Sequence, residues 1–350
     1  MTARHCAMLG VIMAVCCSGL ACTDTNPPQR APVGTLQLRG AGATFPAPLY
    51  KKWLEEYQKH HPGVQLKYDA IGSGEGTKHF MAGAVDFGAS DAAMSDEEIA
   101  AVARGVQLLP TVAGSIVLAY NLDGLGGALK LTRDVYVDIF LGQIKRWDDP
   151  RITATNPGLR LPHDTIALVV RQDSSGTTYA FTNHLSAISA QWRDHGPGVG
   201  RVIAWPGNSM VAPGNEGVSG RIKHSKGAIG YVEYGMAQRA GLTMAWLENK
   251  AGQFIQPHGD SGLATLLNVE MPENLRVFFP DPDGKESYPI VTFSWLLVYK
   301  HYDDHLKAAA LKQYVKWCLT EGQAFNESLG YVRLAPQVIA RTMAAVDSMQ

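Results

Sequence analysis

The segment Gly40-Ala41-Gly42-Ala43-Thr44-Phe45-Pro46 separates a strand-like run, Thr35–Leu38, from a helical stretch, Pro46–His61. Two further junctions are equally rich in Gly, Ser and Thr: Gly72-Ser73-Gly74-Glu75-Gly76-Thr77 and Asp173-Ser174-Ser175-Gly176-Thr177-Thr178. We expect each to end a strand and begin a helix. A helix N-terminus offers unpaired backbone N–H groups and the positive end of the helix dipole, so it attracts anions. If the three helix starts converge, they would surround a small oxyanion with hydrogen-bond donors.

Short β-rich runs alternate with amphipathic helical stretches along the chain, which predicts an α/β fold. The predicted strands further along are Val64–Ile71, Val85–Asp91 and Ala167–Val170. The predicted helices are Lys78–Ala84, a helix capped by Ser95 and reaching Arg104, Thr178–Ile188 and His305–Leu319.

Two long apolar runs, Val112–Tyr120 and Ile290–Tyr299, lie far apart in the sequence and bracket a middle block. If they run side by side, the chain crosses twice between two lobes and forms a hinge. This predicts a first lobe of residues 37–114 plus 294–350, with residues 115–293 inserted as a second lobe.

The composition is that of a globular protein, with 46% hydrophobic and 18% charged residues in a chain of 350 residues, long enough for two domains. The net charge is −1 and no basic run occurs, which argues against nucleic-acid binding.

The N-terminal segment is typical of a targeting signal, predicted to cover residues 1–22. Arg4 and His5 precede an apolar stretch, Met8–Ala21, which is short for a membrane span. The sequence Ser18-Gly19-Leu20-Ala21-Cys22 resembles a bacterial lipoprotein signal with Cys22 as the lipidated residue; the alternative is a secretory signal cleaved nearby. Residues 23–36 are polar and Pro-containing, as expected of a tether between membrane and domain.

Of the five cysteines, only Cys318 lies beyond this segment, so the folded body has no internal disulfide and no Cys-rich metal site. The apolar helical pattern around Cys318 places it in the core. We expect no metal and no cofactor.

Thr44, Phe45 and Ser73 are the candidate ligand residues of the first two junctions. Thr44 can present a hydroxyl and a backbone N–H at a helix start, although simple N-capping by Thr44 explains the same pattern. Ser73 lies between glycines, where an ordinary glycine-rich turn is the alternative. The second junction lacks the Gly-Lys-Ser/Thr of a P-loop, and Ile71 replaces the first glycine of a nucleophile elbow.

The third junction adds Arg171, which emerges from an apolar strand two residues before Asp173. An arginine offers several donors to a tetrahedral anion, and a neighbouring carboxylate can orient it. The alternative is a surface Arg–Asp pair of little consequence.

Asp91 adds a negative charge near the presumed anion. A carboxylate can accept a hydrogen bond from a protonated oxyanion such as hydrogen phosphate, whereas sulfate has no proton to give, so the contact would discriminate between them. The spacing alone favours another role, in which Asp91 caps a helix or turn with Ser95.

Taken in order, several stretches resemble the phosphate-binding subunit of bacterial ABC phosphate importers. They are residues 40–48, 71–73, 85–91, 144–149, 175–177, 214–218 and 227–234, which span nearly the whole chain beyond the signal. The resemblance implies a two-lobed periplasmic solute-binding fold that closes on one phosphate ion. The ligands it implies are Thr44, Phe45, Ser73, Asp91, Arg171, Ser175, Gly176 and Thr177, with Asp173 holding Arg171.

The resemblance further implies a monomeric receptor that is not an enzyme, located in the periplasm or at the cell surface and delivering inorganic phosphate to the permease subunits. Two features depart from the family pattern. Glu75 places a negative side chain near the expected anion, so it must point to solvent, and residues 207–214 and 252–283 match less clearly.

Two other classes of function remain open. A secreted phosphoesterase would use a serine nucleophile, but neither Ser73 nor Ser175 has a recognisable partner base, and His60-His61 lack metal-ligand spacing. An adhesion or signalling protein could retain the fold without the ligand.

Overall fold

The computed structural model describes residues 35–207, 209–267 and 269–350. The predicted signal peptide, the lipidation site Cys22 and nearly all of the predicted tether lie outside these residues. Within the described ranges, no helix combines the length and the apolar character needed to cross a membrane.

The strands of the described residues are β1 Leu36–Gly42, β2 Val64–Ala70, β3 Phe87–Ser90, β4 Val106–Tyr120, β5 Lys130–Leu131, β6 Ala167–Arg171, β7 Met210–Ala212, β8 Ala228–Glu233, β9 Thr243–Met244, β10 Trp246–Glu248, β11 Phe254–Ile255 and β12 Val291–Tyr299. The α-helices are α1 Ala47–His60, α2 Ser73–Met81, α3 Asp96–Ala100, α4 Arg133–Phe140, α5 Pro150–Thr155, α6 Gly176–Ile188, α7 Gly214–His224, α8 Tyr234–Ala240, α9 Gly259–Leu266, α10 His305–Leu319 and α11 Pro336–Asp347. A π-helical turn covers Gln191–His195, and 3-10 turns cover Glu321–Phe325 and Glu327–Leu329.

The long strand β4 joins two groups of strands into one sheet with the order β2-β1-β3-β12-β4-β8-β6-β7, in which β9 also pairs with β4. Its residues Val106–Ser115 pair with β12, antiparallel, and its residues Ile116–Tyr120 pair with β8. We call the group around β1, β2, β3 and β12 the first lobe, and the group around β6, β7 and β8 the second lobe.

The two long apolar runs lie side by side at one end: Val112–Ser115 of the first run pair with β12, whereas its remaining residues pair with β8. All nine residues of β12 are buried, and β4 is buried except at Gln107, which explains why both runs lack a polar face. Strand β4 runs from the first lobe into the second, and the chain returns from the second lobe, where Pro280 contacts His184 of α6, to enter β12 beside β4. This arrangement confirms the predicted hinge strands. The residue boundaries proposed for the lobes stay a prediction.

Most predicted elements are confirmed, and α10 has the predicted bounds. The prediction for α2 is wrong at its start, because the helix begins at Ser73 and includes the glycine-rich junction. A Cβ atom on Gly76 would lie 2.2 Å from the Cα atom of Gly42, so this glycine allows the helix to approach β1 and does not mark a loop. The strand β4 begins six residues before the predicted Val112, and α3 ends at Ala100 instead of Arg104.

The burial of Cys318 in α10 agrees with its predicted place in the core. Its side chain is a free thiol with no exposed surface, and burial raises its pKa well above the ordinary value.

Gly42 ends β1 at the first junction with a φ of +150°, a conformation that residues with a side chain rarely adopt. A Cβ atom at this position would also lie 2.1 Å from the carbonyl oxygen of Ala89 in β3. We therefore expect Gly42→Ala to lower the free energy of unfolding in urea by about 2–5 kcal/mol. Gly63→Ala is the matched control, because nothing lies within 4 Å of a Cβ atom there. Equal unfolding midpoints for the two variants would contradict the prediction.

Candidate functional site

The starts of α2 and α6, which belong to different lobes, meet at one buried point. A Cβ atom on Gly176 would lie 2.4 Å from Oγ of Ser73 and 2.7 Å from Cβ of Asp91. The backbone N–H of Gly74 donates to the carbonyl oxygen of Ser174 at 2.9 Å. The second and third junctions are therefore in direct contact.

The first junction is hydrogen-bonded to the second. The carbonyl oxygen of Gly42 accepts hydrogen bonds from the backbone N–H groups of Ile71 and Gly72, each at 2.9 Å. Tyr331 anchors the same segment from behind, because its hydroxyl donates to the carbonyl oxygen of Phe45 at 2.6 Å. The structure thus brings together all three junctions that the sequence analysis singled out.

Several backbone donors at these helix starts find no partner in the part of the chain that the structure describes. The N–H groups of Thr44, Phe45, Ser73, Gly176 and Thr177 have no hydrogen-bond acceptor among the described residues. Phe45, Ser73 and Thr177 are fully buried. Because buried N–H groups are almost always paired, such a concentration of unpaired donors favours an anionic ligand.

Thr44 does not cap α1, so the alternative role considered for it is wrong. The N-cap residue is Pro46, and no side chain caps the helix. Oγ1 of Thr44 instead accepts hydrogen bonds from the backbone N–H and from Nδ2 of Asn215, at 3.2 and 3.1 Å. Ser73 likewise belongs to a helix and not to a simple glycine turn.

Ser175 is the N-cap residue of α6, where its Oγ accepts a hydrogen bond from the N–H of Thr178 at 3.0 Å. Its own N–H donates to the carbonyl oxygen of Arg201 at 2.8 Å. The Ser175 hydroxyl proton is still available to a ligand, because the cap uses only its oxygen as an acceptor.

Arg171 and Asp173 form a double hydrogen bond, as their spacing suggested. Nε of Arg171 donates to Oδ1 of Asp173 at 2.8 Å, and Nη2 donates to Oδ2. Burial is the largest influence on the pKa of Asp173 and raises it, but the hydrogen bonds and charge of Arg171, together with backbone N–H groups such as that of Gly214, lower it by more and hold that pKa below its usual value. The Arg171 side chain is only 2% exposed, so the alternative of a surface pair is wrong.

Asp91 follows the end of β3 and is also fully buried. Its Oδ1 accepts a hydrogen bond from the hydroxyl of Ser294 on β12 at 2.8 Å. Burial raises the pKa of Asp91 to about 7, although the Ser294 hydrogen bond and the charge of Arg171 oppose the rise. The suggested cap with Ser95 is wrong, because Ser95 forms a capping box with Glu98.

Sequence reasoning missed two residues of this site, Asn215 and Ser294. Asn215 lies at the start of α7, a fourth helix that begins beside the others directly after a strand. The glycine-rich Gly214-Asn215-Glu216-Gly217 has the same strand-to-helix character as the other junctions and was a usable signal. Ser294 had no such signal, because only the pairing of β12 beside β3 brings it to Asp91.

Glu75 meets the condition set by the sequence analysis. Its side chain is 46% exposed and pairs with Lys78, with 2.6 Å between Oε1 and Nζ. The negative charge therefore points away from the buried donors.

Two ion pairs lie outside the site and connect residues near α3 with the second half of the chain. Nη1 of Arg201 lies 2.6 Å from Oε1 of Glu98, and Nη2 of Arg276 lies 2.6 Å from Oδ1 of Asp96. Arg276 belongs to the region 252–283 that matched less clearly. Among the described residues, no group of three or more His, Cys, Asp or Glu side chains could hold a metal ion.

This fold and this site define a two-lobed solute-binding protein. The family model described as PBP superfamily domain matches residues 26–321. The phosphate-binding protein PstS of Pasteurella multocida is 39% identical over 310 residues, 88% of this chain and 89% of the relative. That of Methanocaldococcus jannaschii is 36% identical over 99% of this chain and 94% of the relative. The chain belongs to the PBP superfamily and, within it, to the family of the phosphate-binding proteins PstS.

Solved structures agree on the fold. A periplasmic phosphate-binding protein, PfluDING, superimposes with a TM-score of 0.75 at 22% identity, covering 88% of this chain and 93% of that one. The two-lobed prediction is thereby confirmed. The family membership confirms a binding protein rather than an enzyme and supports an extracytoplasmic location.

The buried Asp91 carboxyl should make the ligand-free protein less stable as the pH rises. In the unfolded chain it ionises near its ordinary pKa of 3.8, whereas in the folded protein it ionises near 7. Stability is therefore lost progressively between these two values, and the loss is complete above the upper one. We expect Asp91→Asn to stabilise the protein relative to wild type, by about 2–3 kcal/mol more at pH 8 than at pH 5.

Urea unfolding of phosphate-free wild type and variant at both pH values measures this difference. Contributions from other titrating groups such as Glu233 cancel, because both proteins contain them. A difference between variant and wild type that does not change with pH would contradict the predicted state of Asp91.

Proposed function

We propose that the protein is an extracytoplasmic receptor that binds inorganic phosphate between its lobes and delivers it to an ABC importer. One observation carries the proposal: helix starts from both lobes, with backbone donors unpaired among the described residues, meet beside the buried Asp91 carboxyl group. The similarity to proteins named for phosphate binding supports it independently.

Phosphate would be held by three kinds of donor: backbone N–H groups, side-chain hydroxyls and one guanidinium. The backbone N–H groups of Thr44, Phe45, Ser73, Gly176 and Thr177 lie at helix starts, where the dipole adds to each hydrogen bond. The other donors are the hydroxyls of Thr44, Ser73, Ser175 and Thr177 and the guanidinium of Arg171. Because all of these groups except the half-buried Thr44 are buried, their hydrogen bonds to the ion are stronger than in water.

Asp173 has an indirect role in this proposal. It neutralises most of the charge of Arg171 and holds the guanidinium plane in place. Selectivity for a tetrahedral anion then depends on the number and direction of donors more than on net positive charge.

Asp91 would discriminate between anions that carry a proton and anions that do not. Hydrogen phosphate can donate a hydrogen bond to the ionised carboxylate, whereas sulfate would place an unpaired oxygen against it. Such a contact is repulsive and desolvated, so it excludes sulfate.

Closure of the lobes about β4 and β12 would bury the ion, and release to the permease subunits would follow opening. The receptor would be a monomer held at the membrane by lipid on Cys22, with residues 23–36 as the tether.

The experiment that tests this function is a calorimetric titration of ligand-stripped protein with phosphate, arsenate and sulfate. At pH 8, wild type should bind phosphate and arsenate, and sulfate at least about 100-fold more weakly. Asp91→Asn should weaken phosphate binding and admit sulfate, because the amide donates where the carboxylate cannot. Wild type should also bind sulfate better at pH 5.5, since Asp91 is then protonated and can donate.

Asp148→Asn is the matched control, because it makes the same substitution at a carboxylate that is 33% exposed and pairs with Arg146 outside the site. It should leave all three affinities unchanged. The role of Asp91 would be refuted if, at pH 8, Asp91→Asn bound phosphate as tightly as wild type does and sulfate no more tightly than wild type does. Absence of phosphate binding by wild type would refute the function itself.

The anchoring proposal has its own test. In bacteria that express the full chain, wild type should partition into the detergent phase, and Cys22→Ser should move to the aqueous phase because it cannot be acylated. Cys318→Ser is the matched control and should remain in the detergent phase. Recovery of wild type in the aqueous phase would instead indicate a signal cleaved without lipidation.

A further inference from the structure

Asn215 bridges two hydroxyls that face each other from different lobes. Its Nδ2 donates to Oγ1 of Thr44 and to Oγ1 of Thr177, each at 3.1 Å. Its backbone N–H also donates to Oγ1 of Thr44, at 3.2 Å. The residue is fully buried, so water does not compete for these hydrogen bonds.

The orientation of the Asn215 amide is determined by a third partner. Its Oδ1 accepts a hydrogen bond from the backbone N–H of Glu233 at 3.0 Å, at the end of β8. A flipped amide would direct its NH2 group at this N–H donor, so Nδ2 is the atom that faces the two threonines.

Each threonine oxygen already accepts two hydrogen bonds. Oγ1 of Thr44 accepts both from Asn215, and Oγ1 of Thr177 accepts one from Asn215 and one from Nη1 of Arg171, at 3.2 Å. A hydroxyl has two acceptor positions and one proton, so both protons are left to donate elsewhere. Neither proton has an acceptor among the described residues.

We infer that Asn215 is a positioning residue that makes Thr44 and Thr177 obligate hydrogen-bond donors toward the anion. The inference rests on the proposed function. It implies that the site has a donor side, formed by the two threonines, and an acceptor side, formed by Asp91. Unprotonated oxygens of the anion lie on the threonine side, and the oxygen that carries the proton lies on the side of Asp91. The same contacts connect the lobes, since Thr44 follows β1 and Asn215 follows β7.

Two variants at this position test the inference by phosphate titration at pH 8. Asn215→Ala frees the hydroxyls to rotate and should lower phosphate affinity by about 10–100-fold, the cost of one or two buried hydrogen bonds. Asn215→Asp retains the shape and the bond to Glu233, but its second oxygen accepts the threonine protons. The Asn215→Asp variant should lose at least as much phosphate affinity as Asn215→Ala. It also provides the test if the alanine variant does not fold.

A double-mutant cycle separates positioning from a structural role. In a Thr44→Val/Thr177→Val background, Asn215→Ala has no hydroxyls to orient and should lower affinity by less than about threefold further. An equal loss with and without the hydroxyls would overturn the inference, as would wild-type affinity in both Asn215 variants.

Asn249→Ala is the matched control. Asn249 is equally buried, and its Nδ2 donates to the carbonyl oxygens of Gly284, Lys285 and Ser287, away from the site. This variant should lower the melting temperature while phosphate affinity stays within about threefold of wild type. Failure of wild type to bind phosphate would refute the proposed function itself, whereas failure of the cycle concerns Asn215 alone.

Discussion

The backbone N–H groups at the start of a helix cannot be satisfied within that helix. At the surface water satisfies them, but here strands of two lobes deliver several helix starts to one buried point, around Gly176, Ser73 and Asp91. The need of these donors for an acceptor is the constraint on which the remainder of the site depends. It explains why the site can attract an anion although its single arginine, Arg171, is already paired with Asp173.

In the proposed function, the same arrangement makes a buried acid necessary for selectivity, and that acid is costly for the ligand-free fold. Donors alone would accept any tetrahedral anion, so an acceptor is required at one point of the shell. We propose Asp91 as that acceptor. A carboxylate that is removed from water is destabilised, which raises the pKa of Asp91 to about 7. Ser294 and Arg171 offset only part of that cost. A binding site of this kind is therefore adapted to its ligand and not to the stability of the empty protein.

Much of the fold could be predicted because strand-to-helix junctions and long apolar runs have strong local signals. Helix α10 and the pairing of β4 with β12 followed from periodicity and from the absence of a polar face. The error at the start of α2 has a physical cause. Gly72–Thr77 resembles a loop by composition, yet Gly76 allows a helix to pack closely against β1, and this packing depends on a neighbouring strand and not on the segment itself.

The amino-acid sequence by itself determined the α/β class, the hinge strands, the donor-rich junctions and, through resemblance, the family. These properties depend on local patterning and on short motifs. Only the tertiary structure decided that Asn215 donates hydrogen bonds to the hydroxyl oxygens of Thr44 and Thr177, and that Ser294 contacts Asp91. The reason is that the direction of a hydroxyl proton depends on which groups already occupy its oxygen, and those groups come from distant parts of the chain.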